Sequence, residues 1–260
     1  MSYLEVLNNK KADIDVFYKS VGDLSLPLQV FLPDEFDEEK TYKTIIAIHG
    51  GGWHSLTETP VDWNGSWMAG TAKHYARKGY VGIVFSYRDL ELDESCDVGD
   101  LLADCRDAME YIKTNFSFVN ADNVVLMGDS AGAHLALCLG MCLPCGEKSA
   151  LMPSKIAAYN PVTDCVSEKW NYCAKDAEMY SPMNNIKSTD AEILVMHGTA
   201  DAIVDINDNR LFTKKMKEAG NNISMVEIPD AGHAFILFGY KSTDEEVLEA
   251  LRITDEIFDL

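Results

Sequence analysis

Residues 123–132 carry the sequence NVVLMGDSAG, and this stretch decides the fold. Asn123–Met127 is a short apolar run that predicts a buried strand, and Ala131–Cys142 is apolar on most sides, which predicts a buried helix. The residues between them form a Gly-x-Ser-x-Gly pattern, whose small side chains let a strand turn tightly into a helix. Such a turn projects the Ser130 hydroxyl above the sheet, at a helix N-terminus whose dipole favours developing negative charge. An ordinary glycine-rich turn between a strand and a helix is the simpler alternative.

Strand-like and helix-like segments alternate along most of the remaining chain. The other predicted strands are Ile14–Tyr18, Leu26–Leu32, Thr44–Ile48, Tyr80–Ser86, Lys155–Tyr159, Glu192–Met196 and Ile223–Ile228. The other predicted helices are Trp67–Lys78, Asp97–Phe116, Asp205–Ala219 and Thr243–Phe258. This alternation predicts an α/β fold with a mostly parallel central sheet, helices on both faces and one opening antiparallel pair. Because the sequence has no internal repeat, low-complexity tract or flexible linker, we expect a single domain over residues 1–260.

One segment, Cys165–Asp190, breaks the alternation. It is too long for an ordinary connection between a helix and a strand, and it carries the aromatic residues Trp170 and Tyr172. Insertions of this kind frequently carry functional residues. We therefore expect residues 165–190 to form a small lid or a wall of the pocket.

The chain is strongly acidic, because 42 Asp and Glu residues against 22 Lys and Arg residues give a formal charge of −20. Nucleic-acid phosphates would be repelled, so no nucleic-acid partner is expected, and an anionic membrane surface is disfavoured. No apolar run approaches the roughly 18 residues of a membrane span, and the N-terminus lacks the apolar core of a signal peptide. These features leave the substrate and the oligomeric state open.

The seven cysteines are odd in number and irregularly spaced. Cys142 and Cys145 form a lone C-x-x-C pattern, without the second pair of Cys or His residues that a zinc site needs. Reduced thiols in a cytoplasmic protein are the simplest interpretation. We therefore expect no metal site and a cytoplasmic location.

A serine hydroxyl is a weak nucleophile and needs a base, and the base in turn needs a group that orients it. In folds with this serine turn the acid and then the histidine follow the serine along the chain, which leaves three histidines as candidates. His134 lies on the predicted helix and His197 at a strand end, whereas His233 lies in the loop after the last predicted strand. His233 is therefore the candidate base.

Two aspartates qualify as the orienting acid. Asp201 follows the predicted strand Glu192–Met196, and Asp164 follows the earlier strand Lys155–Tyr159. The fold usually places the acid on the later strand, so Asp201 is preferred over Asp164.

The sequence HGGGW at residues 49–53 directly follows a predicted strand. Acyl transfer generates an oxyanion that needs backbone N–H donors, and glycine lets the backbone approach a substrate closely. Gly51 and Gly52, together with Ala131 after the serine, are the candidate donors of an oxyanion hole. His49 is expected to brace this loop, and a merely flexible glycine-rich loop is the alternative.

The four motifs HGGGW, GDSAG, HGTAD and GHAF occur in the order and approximate spacing seen in α/β-hydrolase esterases. Over about residues 26–258 the chain resembles the hormone-sensitive-lipase-like esterases and the compact bacterial carboxylesterases, feruloyl esterases and acetyl esterases. The resemblance implies a triad of Ser130, His233 and Asp201. The chemistry of such a triad requires no metal and no organic cofactor. About 43 residues precede Thr44, too few for the long helical cap of hormone-sensitive-lipase relatives, which moves the likeness toward the compact esterases.

The sequence thus predicts a carboxylic ester hydrolase that forms an acyl-enzyme and prefers small-molecule esters with short or compact acyl groups. Trp53, Trp63 and Trp67 cluster after the oxyanion loop, and Trp53 and Trp170 are the candidate residues of the substrate pocket. Two alternatives remain, a peptidase of the prolyl-oligopeptidase kind and a non-catalytic ligand-binding protein on the same fold.

Overall fold

The computed structural model describes residues 2–54, 68–90 and 96–260, and within these ranges the chain forms one sheet of eight strands. Strands β1 to β8 are Ile14–Val21, Leu24–Phe31, Tyr42–Ile48, Val81–Phe85, Val119–Asp129, Lys155–Tyr159, Glu192–Gly198 and Ile223–Ile228. Helices α1 to α6 are Tyr3–Asn9, Ala69–Arg77, Val98–Asn115, Ala131–Gly140, Ile206–Glu218 and Asp244–Phe258.

The strand order in the sheet is β1-β2-β4-β3-β5-β6-β7-β8. β2 runs antiparallel to both of its neighbours, whereas every pair from β4 to β8 is parallel. The carboxyl ends of β3, β5, β7 and β8 therefore meet at one edge of the sheet, which is where ligands bind in open α/β folds. The loops after these four strands carry all of the candidate catalytic groups.

The sheet is buried on both faces, as the alternating side chains of its central strands show. In β3, Ile46 and Ile48 belong to the core under α3, α4 and α5, whereas Ile45 and Ala47 belong to the core under α2 and α6. Successive side chains of a strand point to opposite faces, so an unbroken apolar strand requires two apolar layers. The predicted α/β-hydrolase architecture, a mostly parallel sheet with helices on both faces, is confirmed.

The predicted elements are present with small shifts at their ends, and one helix was missed. α1 is capped by Ser2, whose side chain accepts from Glu5 N while the Glu5 side chain accepts from Ser2 N. Only Leu7 of this helix is fully buried, so its apolar periodicity is too weak to predict it. The start of the predicted helix at Trp67 lies outside the described residues, and the helix is seen from Ala69.

The segment Cys165–Asp190 connects β6 to β7 and contains two short 3-10 turns, Asn171–Cys173 and Ala177–Tyr180. Its side chain Trp170 lines the cavity beside Ser130. Among the helices that the structure describes, none combines the length and the apolarity needed to cross a membrane.

Candidate active site

Ser130 lies between β5 and α4 in a strained backbone conformation, with φ 53° and ψ −117°. A non-glycine residue in this region costs on the order of 1–3 kcal/mol and is held there by its surroundings. Those surroundings are tight, because a Cβ on Gly128 would overlap the carbonyl of Gly132, and a Cβ on Gly132 would overlap the carbonyl of Ile48. The two glycines of the Gly-x-Ser-x-Gly pattern are thus required by the close approach of backbone to backbone.

Three side chains from three loops form a continuous chain of hydrogen bonds. His233, between β8 and α6, has its Nε2 2.9 Å from Ser130 Oγ and its Nδ1 2.8 Å from Asp201 Oδ2. An ionised carboxylate only accepts, so Nδ1 donates to Asp201, and in the neutral ring Nε2 accepts from the Ser130 hydroxyl. The structure therefore brings together the serine, histidine and aspartate selected from the sequence, with the tautomer that a general base requires.

Asp201 also accepts a hydrogen bond from a second histidine, His197. From the sequence alone this residue is only a rival base, and this contact is not predicted. His197 Nε2 lies 3.2 Å from Asp201 Oδ2, and His197 Nδ1 accepts from the Asn209 amide at 2.8 Å. Burial alone would raise the pKa of Asp201, but hydrogen bonds from His197, His233 and the Ile203 backbone N–H outweigh it and hold the pKa well below its usual range. The carboxylate is therefore ionised at any physiological pH.

The alternative acid, Asp164, has a different role. Its carboxylate accepts from the backbone N–H of Val166 at 2.9 Å, which closes a local turn after β6. The His233 imidazole contacts Asp201 rather than Asp164. The choice between the two aspartates made from strand order agrees with this geometry.

The loop after β3 is held in a left-handed backbone conformation over three successive residues. The φ angles are 96° at Gly51, 68° at Gly52 and 64° at Trp53, and only glycine adopts such angles at low cost. Gly51, Gly52 and Ala131 all line the cavity that contains Ser130. The residues that carry the candidate donors of the oxyanion hole thus line the same cavity as the serine.

Tyr87, to which sequence reasoning assigned no role, braces the start of this loop. Its buried hydroxyl lies 2.7 Å from the carbonyl oxygen of His49 and 3.2 Å from that of Gly50. The Tyr87 ring also stacks on the His49 ring, with centroids 4.3 Å apart. Burial lowers the pKa of His49 to about 4, so this histidine is a neutral structural residue of the loop, in line with the bracing role expected for it.

A cavity of about 280 Å³ opens at Ser130 and His233. Trp53 and Trp170, the two candidate pocket residues, both line it, although the Trp53 side chain is fully buried. Val162, Ile203 and Tyr240 also line it; they lie on three separate loops and have no common sequence signal. The other two tryptophans of the cluster, Trp63 and Trp67, lie outside the described residues.

Asp129, directly before the serine, is a buried carboxyl group. Burial raises its pKa to about 6, opposed by the nearby His233 and by a 3.4 Å hydrogen bond from the Asn160 amide. It is 2% exposed, and its backbone carbonyl lies 2.6 Å from the position of a Cβ on Gly50. The serine elbow, which is the turn at residues 128–132, and the oxyanion loop at residues 49–53 therefore pack around a carboxyl group with a pKa of about 6.

Within residues 2–54, 68–90 and 96–260, no group of three or more His, Cys, Asp or Glu side chains is arranged to hold a metal ion. The seven cysteines are all free thiols.

Two family models match the chain in succession. The BD-FAE family matches residues 28–149, which include the oxyanion loop and the serine elbow. The prolyl oligopeptidase family matches residues 151–254, which include Asp201 and His233.

The chain is also similar to a solved esterase structure and to two further proteins. The esterase Est2 of Thermogutta terrifontis with butyrate bound is 25% identical, and its structure superposes with a TM-score of 0.81 over 96% of this chain and 94% of that chain. The uncharacterized protein YfhR of Salmonella typhi is 25% identical over 216 residues, covering 78% of this chain and 68% of that protein. The acetylxylan esterase of Xylanibacter ruminicola is 27% identical over 229 residues, covering 79% of this chain but only 42% of that enzyme.

Proposed function

This chain belongs to the α/β-hydrolase superfamily and is a serine esterase, and on that premise we propose that Ser130, His233 and Asp201 are its catalytic triad. The observation that carries the proposal is the unbroken hydrogen-bond chain from Ser130 Oγ through the His233 ring to Asp201, at the opening of a cavity. The substrate class is small-molecule carboxylic esters.

The geometry supports a two-step acyl transfer. His233 Nε2 takes the proton of Ser130 as Oγ attacks the ester carbonyl, and the ionised Asp201 stabilises the imidazolium that forms. His233 then returns that proton to the departing alkoxide, which leaves an acyl ester on Ser130. A water molecule repeats the sequence, with its proton passing to His233 and its oxygen attacking the acyl carbon, so that the carboxylic acid and the free serine are restored.

We assign the oxyanion hole to the backbone N–H groups of Gly51, Gly52 and Ala131. Ala131 is the first residue of α4, so its N–H is not used within the helix and lies at the positive end of the dipole. Gly51 and Gly52 line the same cavity with left-handed φ angles. Removing one donor from such a site typically costs about 10²- to 10³-fold in kcat.

The preferred acyl group is short or compact. The cavity of about 280 Å³ is at the small end of the range for ligand pockets, and its wall beyond the serine is mainly apolar, from Val162, Trp170 and Ile203. Each buried methylene contributes about 0.8 kcal/mol, but only while it remains inside the cavity. The butyrate named for Est2 and the acetylxylan esterase activity named for the Xylanibacter ruminicola relative are both of this short-acyl kind.

A peptidase activity is the second candidate, because residues 151–254 match the prolyl oligopeptidase family. In ester cleavage the alcohol part of the substrate leaves as an alkoxide. In amide cleavage the amine part is a much poorer leaving group and has to be protonated before it leaves. The same triad serves both reactions, so substrate selection has to be measured.

A hydrolysis panel compares the wild type with Ser130→Ala on acetyl to long-chain p-nitrophenyl esters, feruloyl esters, acetylated sugars and a prolyl amide. We expect turnover of short esters by the wild type, at least 10³-fold loss in Ser130→Ala and little cleavage of the amide. Preferential amide cleavage would favour the peptidase, and the absence of any turnover would favour a non-catalytic binding protein.

A further inference from the structure

A buried histidine links the nucleophile helix to the oxyanion loop. His134 lies on α4, and its backbone N–H donates to the carbonyl of Ser130 at 3.0 Å, so its backbone is fixed relative to the serine. The indole Nε1 of Trp53 donates to His134 Nδ1 at 3.1 Å, and the two rings meet edge to face with centroids 5.4 Å apart. Both side chains are fully buried.

The hydrogen bonds fix the protonation state of this imidazole. An indole N–H can only donate, so His134 Nδ1 carries no proton, and in the neutral ring Nε2 carries the proton. Nε2 lies 2.8 Å from the carbonyl oxygen of Tyr180, to which it donates. The thiols of Cys165 and Cys138 lie 3.3 and 3.4 Å from the same nitrogen, and burial lowers the pKa of His134 to about 4. His134 is therefore a neutral connector rather than a second base.

The oxyanion loop, which His134 contacts through Trp53, has a strained backbone that contacts from other segments have to stabilise. Trp53 has a φ of 64° directly after the two glycines at positive φ, and a tryptophan in this region is strained unless its side chain is held. Its ring is held on a second side by Trp170, with centroids 5.8 Å apart and the planes near perpendicular. Of these contacts, only the hydrogen bond from the Trp53 indole to His134 depends strongly on direction, and it joins the loop to α4, the helix that follows Ser130.

We propose that His134 is a positioning residue of the esterase, which through Trp53 holds the N–H groups of Gly51 and Gly52 in register with Ser130. The proposal rests on the proposed oxyanion role of this loop. Stabilisation of a developing oxyanion depends on donors fixed to within about 0.5 Å. Loss of the connector therefore lowers kcat, because the donors are displaced in the transition state, and leaves KM for a small ester nearly unchanged.

Two substitutions separate the two ends of the connector. His134→Asn keeps an acceptor at the position of Nδ1 for Trp53 and loses the donor to Tyr180, whereas His134→Gln keeps a donor at the position of Nε2 and loses the acceptor. We expect His134→Gln to lower kcat on p-nitrophenyl acetate by about 10- to 100-fold at similar KM, and His134→Asn to stay within about threefold. Trp53→Phe combined with His134→Gln should cost no more than the larger single change, because both remove the same bond.

His74→Gln is the matched control. His74 is also a buried histidine; it lies on α2, and its Nδ1 and the Tyr3 hydroxyl are hydrogen-bonded at 2.7 Å. The His74→Gln substitution should lower the melting temperature and leave kcat unchanged. Equal kcat losses in His134→Asn and His134→Gln, or an unchanged kcat in His134→Gln, would overturn the inference. Activity remaining in Ser130→Ala would instead refute the proposed function itself, so the two failures are distinguishable.

Discussion

Asp129→Asn should stabilise the protein at neutral and alkaline pH, because it removes a buried charge beside the nucleophile while keeping the shape of the side chain. The pKa of Asp129 rises from 3.8 to about 6 on folding. At 1.36 kcal/mol per pKa unit, this shift corresponds to about 3 kcal/mol of stability lost when the carboxyl group is ionised. For a chain of this size that is roughly 6–12 °C in Tm.

The sign of the pH dependence follows from the direction of the shift. A pKa raised on folding means that the protonated native state is favoured at low pH, and that this advantage is lost as the pH rises through about 6. The gain from Asp129→Asn should therefore be near zero at about pH 4, grow between about pH 4 and 6, and be constant above that. The neutral Asn side chain can still pair with Asn160, whose amide donates to Asp129 Oδ1 in the wild type.

Urea unfolding followed by circular dichroism at a series of pH values measures this difference. Asp122→Asn is the matched control, because Asp122 lies on the same strand but is exposed, so the same substitution there removes no buried charge. A stability difference between wild type and Asp129→Asn that does not vary with pH would refute the assignment of Asp129 as a buried carboxyl group titrating near neutrality. So would an Asp129→Asn variant that is less stable than the wild type at pH 8.

Three further predictions follow from the site. Asp201→Asn should leave the fold intact and lower kcat by about 10⁴-fold, because the imidazole loses the partner that fixes its tautomer, whereas Asp164→Asn should change kcat by less than about tenfold in the same assay. Gly132→Ala should lower Tm and yield of folded protein, since its Cβ would overlap the carbonyls of Ile48 and His49, and a folded variant of wild-type Tm would contradict the packing argument. Across p-nitrophenyl esters, kcat/KM should fall beyond about six carbons, and a steady rise through long chains with activation at a lipid–water interface would identify a lipase instead.

The candidate catalytic side chains could be selected from the sequence because each occupies a position that local pattern and chain order define. A buried strand, a Gly-x-Ser-x-Gly turn and an apolar helix locate Ser130 without knowledge of the rest of the fold. The candidate acid and base then follow from the chain order that this fold usually shows, with the acid and then the histidine after the serine. The choice of Asp201 over Asp164 used the order of the strands together with the position at which this fold usually places the acid.

The supporting side chains could not be predicted, because their roles arise from contacts between segments that are far apart in sequence. His134 and Trp53 are separated by 81 positions, and neither residue type nor spacing indicates that their rings meet. His197 was considered only as a rival base, whereas in the structure it donates to the same carboxylate as His233. The raised pKa of Asp129 likewise depends on burial in the folded chain, which an isolated Gly-x-Ser-x-Gly pattern does not reveal.

Mapping of the residue modified by a fluorophosphonate probe tests directly whether Ser130 is the nucleophile. The probe phosphonylates a serine only when a base and an oxyanion hole activate it, and peptide mass spectrometry identifies the modified side chain. We expect stoichiometric modification of Ser130 in the wild type, no modification in Ser130→Ala, and strongly slowed modification in His233→Ala. Undiminished labelling of folded Ser130→Ala, or modification of another serine in the wild type, would contradict the assignment of Ser130 as the nucleophile.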